Sequence, residues 1–99
     1  MEEYQLIDNN EDHQYELHVE KGIAKIEYII TKNEEIYLTH TEVPPAMEGK
    51  GIGSQLVEKA LKNIEERKLT LVPLCPFVAG YIQKHPEWKR IVKKGIIIK

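Results

Sequence analysis

The feature that most constrains this chain is a change of hydrophobic period at Pro44-Pro45. Over 23–31, Ile26, Tyr28 and Ile30 fall on one side, with Lys25 and Glu27 on the other. Over 35–43, Ile36, Leu38, His40 and Glu42 oppose Tyr37, Thr39, Thr41 and Val43. A period of two in runs rich in β-branched residues predicts strands, because such side chains pack on a pleated surface. Beyond the prolines, Ile52, Leu56, Val57, Ala60, Leu61 and Ile64 recur at helical spacing, opposite Gln55, Glu58, Lys59, Lys62, Glu65 and Glu66. One apolar stripe of that kind predicts an amphipathic helix over 51–67.

The flanking segments complete the order. Residues 14–20 alternate loosely and read as a strand, with turns at Lys21-Gly22 and Lys32-Asn33-Glu34. Three strands joined by short turns form an antiparallel meander. Residues 68–73, centred on Leu69-Thr70-Leu71-Val72, read as a fourth strand, and the helix before it is long enough for a right-handed crossover that sets the third and fourth strands parallel. Pro76 suits the first turn of a second helix, ending near His85 before Pro86. A short helix over 87–93 and a final strand or tail over 95–99 follow. The expectation is a single α/β domain over 1–99, with a mixed sheet in the order β-β-β-α-β-α.

Composition narrows the function classes. A net charge of −2, with both signs mixed along the chain, lacks the concentrated basic surface that nucleic acid requires. The locally basic set Lys84, Lys89, Arg90, Lys93, Lys94 and Lys99 reads as a solvated face, or as a meeting point for an anionic ligand. No apolar run approaches the roughly 18 residues that span a bilayer. The start Met1-Glu2-Glu3-Tyr4 has no secretory pattern. One cysteine suggests no oxidising compartment, so the expected address is the cytoplasm. His13, His18, His40, His85 and Cys75 show no close-spaced metal-ligand pair.

The informative stretch is Glu48-Gly49-Lys50-Gly51-Ile52-Gly53-Ser54, between a strand and the long helix. Glycine permits a tight turn and a close ligand approach. A helix start adds unpaired amides and a positive dipole end, which together favour phosphate. Two familiar phosphate loops fail on spacing. A P-loop needs glycine where Pro44 stands and Ser or Thr where Gly51 stands, and the dinucleotide fingerprint would need its third glycine at Ser54. A flexible turn before a helix is the plainer alternative, but the order of strand, loop and striped helix favours a ligand site.

With its strand and helix, this loop resembles that of the GNAT superfamily of N-acetyltransferases, whose pyrophosphate loop reads Gln/Arg-x-x-Gly-x-Gly/Ala. Gly51 and Gly53 match it, and Glu48 departs from it by replacing the usual Gln or Arg. More narrowly, Thr41-Glu42-Val43, Pro73-Leu74-Cys75-Pro76-Phe77-Val78, Tyr81 and Lys84-His85-Pro86-Glu87-Trp88 are similar to the small stand-alone GNAT-like family, over nearly the whole chain. The resemblance implies a minimal GNAT-like fold with acetyl-coenzyme A or coenzyme A in the splay between the third and fourth strands. Amides from Gly49 to Ser54 (Gly49, Lys50, Gly51, Ile52, Gly53, Ser54) would hold the pyrophosphate. Backbone near Glu42 and Val43 would bond the pantetheine arm, and the Val43 N–H would suit an oxyanion. The Lys50 side chain adds charge to a phosphate or is simply solvated; Glu48 has no ligand role.

Acetyl transfer to an amine needs a base, an oxyanion donor and an acid for the leaving thiolate. His40 and Glu42 share a strand face and are the candidate bases; a hydrogen-bonded core or edge histidine is the alternative for His40. Cys75 precedes the second helix, where a thiol can be activated. It is a candidate nucleophile or acid relay, or else a buried apolar residue. Tyr81 is the fallback acid, or a core aromatic beside Phe77. The acceptor would be an amine of unknown identity, bound openly or with a partner's help, because the N-terminal helices of larger relatives are missing. A coenzyme-binding module without turnover and a protein-interaction domain with a vestigial loop are the competing readings. A monomer is compatible with all three.

Overall fold

A computed structural model describes residues 2–98. Strands β1 (Ile7–Asn9), β2 (Gln14–Val19), β3 (Gly22–Ile30), β4 (Glu35–Glu42) and β5 (Thr70–Pro73) form one sheet in sequence order. The first four are antiparallel, and β5 lies parallel to β4. Helix α1 (Ile52–Glu66) makes the crossover, and α2 (Pro76–Lys84) follows β5. Short 3₁₀ segments lie at Pro45–Met47 and Pro86–Ile91. The mixed sheet and the parallel crossover agree with the sequence reading, except that the meander has a fourth strand at its start. Residues 95–98 form no strand, and Lys99 lies outside the described residues. Among the described residues no helix is long and apolar enough to cross a membrane.

β1 escapes sequence analysis because Ile-Asp-Asn carries no period. Distant partners hold it. Asp8 accepts from the Tyr28 hydroxyl and pairs with Arg67 at 2.9 Å. The Tyr15 hydroxyl in turn donates to Asn63 at 2.8 Å.

Both helices cover the same sheet face. Tyr15, Leu17, Ile26, Ile36, Leu38 and Leu71 meet Leu56, Leu61 and Ile64 of α1 and Val78 and Ile82 of α2 in one cluster. Each such side chain contributes about 1.5–3 kcal/mol on full burial. Gln55, placed on the polar side of α1 by its spacing, is buried instead, because the arm at Glu2–Tyr4 lies over it. Its side chain accepts from the Tyr4 amide and donates to the Glu2 carbonyl.

The alternation in β4 does not survive intact. Tyr28 pairs with Leu38 and Glu27 with His40, so Thr39 is an extra, bulged residue. A bulge shifts the side-chain parity of everything beyond it. His40 and Glu42 therefore stand opposite Glu27 and Lys25 on the outer face, while Thr41 pairs with Ile26 on the helix-covered face. The expectation that His40 and Glu42 share a face with Ile36 and Leu38 is corrected here. That His40 and Glu42 share a face with each other holds.

Candidate active site

The glycine loop frames a cleft of about 420 Å³, lined by Thr41, Val43, Met47, the loop and Phe77. Its glycines serve different ends. Gly49 and Gly51 take φ of 80° and 76°, left-handed values that cost an L side chain about 1–2 kcal/mol. Gly53 makes room for a neighbour: a Cβ there would lie 2.5 Å from Cζ of Phe77. The first helical hydrogen bond runs from the Gln55 amide to the Gly51 carbonyl, and no side chain caps the helix. Among the described residues, the amides from Gly49 to Ser54 therefore have no protein acceptor. Open amides at a helix start suit a diphosphate.

The Lys50 side chain does not join them. It borders a separate cleft with Glu2, Tyr4 and Glu20 across Met47 and Ile52. Glu48, which the sequence reading left without a ligand role, is the charged residue of the main cleft's lining. An anion in that cleft would meet backbone dipoles and no lysine of the lining.

Thr41 and Val43 of the cleft lining lie just beyond the point where β4 and β5 stop pairing. Their pairing ends at Leu38 and Pro73, and the Leu74 and Cys75 amides both donate to the Leu38 carbonyl, at 3.1 and 2.9 Å. From there the strands part, leaving the β5-facing edge of Thr39–Glu42 without a strand partner. This is the splay into which an extended ligand can insert like an added strand.

The candidate chemical groups fall in three places. Cys75 is the N-terminal flank of α2, is 4% exposed, and its Sγ lies 3.1 Å from Oγ1 of Thr41. Thr41 lines the cleft. His40 and Glu42 contact each other at 3.2 Å on the exposed outer face, and Glu42 also lies 3.9 Å from Lys25. Tyr81 stacks on His85 at 4.2 Å between ring centroids. Burial, then the charges of Glu58 and Glu87, push its hydroxyl above the usual phenol range. It lies outside the cleft lining, one helical turn beyond Phe77. The structure thus joins the glycine loop, Val43, Thr41 and Cys75, and sets His40, Glu42, Tyr81 and Lys50 apart from them. Phe77 is 46% exposed and walls the cleft. Sequence reasoning gave Thr41 no role, since only the Thr39 bulge turns it inward.

A known structure shares this fold. The solution structure of a GCN5-like protein from Staphylococcus aureus superposes with a TM-score of 0.70 at 20% identity, covering 94% of this chain and 91% of that one. Protein NATD1 of Xenopus tropicalis is 30% identical over 67 residues, 68% of this chain and 60% of its own length. Protein NATD1 of Mus musculus is 37% identical over 49 residues, 50% of this chain and 44% of its own. The chain thus spans about half the length of these curated relatives. A sequence profile described as GCN5-related N-acetyl-transferase matches residues 14–91, most of the chain from β2 through the second 3₁₀ segment. The chain belongs to the GCN5-related N-acetyltransferase family.

Proposed function

We propose that this protein binds acetyl-coenzyme A in the cleft and splay and transfers its acetyl group to an amine. The observation that carries the reading is the set of acceptor-free amides from Gly49 to Ser54 beside a cleft that borders the unpaired end of β4. Those amides hold the diphosphate, aided by the α1 dipole. The free edge of β4 at Glu42 and Val43 bonds the pantetheine amides, and the Val43 N–H faces the carbonyl oxygen as negative charge develops there. The coenzyme supplies an acyl group activated as a thioester. His40 and Glu42, exposed on the outer face, take the proton of an amine arriving from that side. Cys75, buried behind Thr41, fits a relay better than a nucleophile, because an attacking thiolate must reach the acyl carbon. A cytoplasmic setting accords with its free thiol.

Calorimetry with acetyl-coenzyme A, followed by radiolabelled acetyl transfer to a panel of amines and proteins, tests this. Binding heat and an N-acetylated product are expected. Binding without transfer leaves a coenzyme-binding module. No heat overturns the reading and favours an interaction domain with a vestigial loop.

A further inference from the structure

We propose that Thr41 is the group that meets the sulfur of the bound coenzyme and hands the leaving thiolate its proton, positioned for this by the Cys75 thiol. The inference rests on the coenzyme reading above. Several independent features converge on Thr41. The bulge at Thr39 turns it to the helix-covered face, where an unbroken alternation would have aimed it outward. Moving inward along β4 from the glycine loop, the side chains that line the cleft are Val43 and then Thr41, and the strands close at Leu38 and Pro73. Thr41 is therefore the polar side chain of the cleft lining nearest the point where the strands close, the side toward which the reactive end of a coenzyme anchored at Gly49–Ser54 would extend.

Cys75 fixes that hydroxyl. Its own backbone is pinned by the hydrogen bond from its amide to the Leu38 carbonyl, so the sulfur has a defined place. A hydroxyl carries one hydrogen and two acceptor positions. Either group can donate across the 3.1 Å contact, and when the Cys75 S–H donates to Oγ1 the Thr41 hydrogen is free to point into the cleft. The β-branched side chain is stiff about χ1, which adds to the order. Cys75 itself does not line the cleft.

The step balances. The amine nitrogen attacks the thioester carbon, the C–N bond forms, and the C–S bond breaks with its electron pair leaving on sulfur. That sulfur takes the Thr41 hydroxyl proton, and Oγ1 takes the Cys75 proton. Solvent restores a proton to Cys75 after the products leave, matching the one the amine gave up.

The test is calorimetry on the full chain with coenzyme A and with a desulfo analogue lacking the sulfur. Thr41→Val should weaken coenzyme A about two- to tenfold, the worth of one hydrogen bond. It should leave the desulfo analogue unchanged, and Thr41→Ser should restore the loss. Thr41→Ala replaces the valine variant if that one does not fold. With an amine that the wild type acetylates, Cys75→Ala should lower kcat while the coenzyme KM stays put. Equal weakening of both ligands, no weakening of either, or an unchanged kcat in Cys75→Ala overturns the inference. A wild type that binds coenzyme yet acetylates no amine removes the proton transfer. A wild type that binds neither compound instead overturns the coenzyme reading itself.

Discussion

At its C-terminal end, α1 is closed by specific contacts, whereas at its N-terminal end no side chain among the described residues caps the helix. The Leu69 amide donates to the Ile64 carbonyl and the Lys68 amide to that of Glu65, a Schellman closure with Lys68 in the left-handed region at φ 59°. Side chains add to it: Arg67 reaches Asp8 and the Tyr15 hydroxyl, Asn63 takes the Tyr15 proton, and Arg90 grips Glu65 with two nitrogens, at 2.6 and 2.9 Å. The other end has a glycine flank, no side-chain cap, and a cleft before it. A helix can leave its first amides open when the rest of it is packed and its far end is sealed. On the proposed function, stability and ligand access fall to opposite ends of one element.

Substitutions at the two ends can break or sharpen that division. The largest effect belongs to Gly51→Val. A branched side chain at φ 76° is strained by about 1–2 kcal/mol and stands in the ligand's path. Coenzyme affinity by calorimetry should fall by at least about tenfold, the equivalent of 1.4 kcal/mol. Affinity equal to wild type would mean that the open end is not the binding end. Next comes Asp8→Ala, which strips a partner from both the Tyr28 hydroxyl and Arg67. Urea unfolding should show a loss of about 1–3 kcal/mol, with coenzyme affinity unchanged. If affinity fell alongside stability, the two ends would not be independent. The smallest effect is a gain. Lys68→Gly relieves a left-handed lysine and should stabilise the fold by about 0.5–1 kcal/mol; a loss in the same urea measurement would contradict the closure described for this end.

The parts of the fold legible in the sequence are those set by local repetition. The α1 stripe, the alternation in β3, and the crossover to a parallel β5 all follow from apolar spacing and segment length. The site was legible to the same depth. Gly51 and Gly53 at a helix start point to phosphate, but they do not reveal that Gly53 is there for the Phe77 ring. β1 carries three residues without a period and exists through Asp8's distant partners. Lys50, next to the glycines in sequence, faces another cleft, because consecutive residues in a tight turn diverge in direction.

What the sequence determined by itself is the scaffold and the position of the candidate ligand loop, since hydrophobic period and glycine placement act over a few residues. Tertiary structure alone decided which side chains meet at the reactive end. A bulge adds one residue to β4 without altering its composition, yet it exchanges the faces of His40, Glu42 and Thr41. The contact of Thr41 with Cys75 spans 34 positions of sequence. Only the packing of α2 against the splayed strand brings those two side chains together.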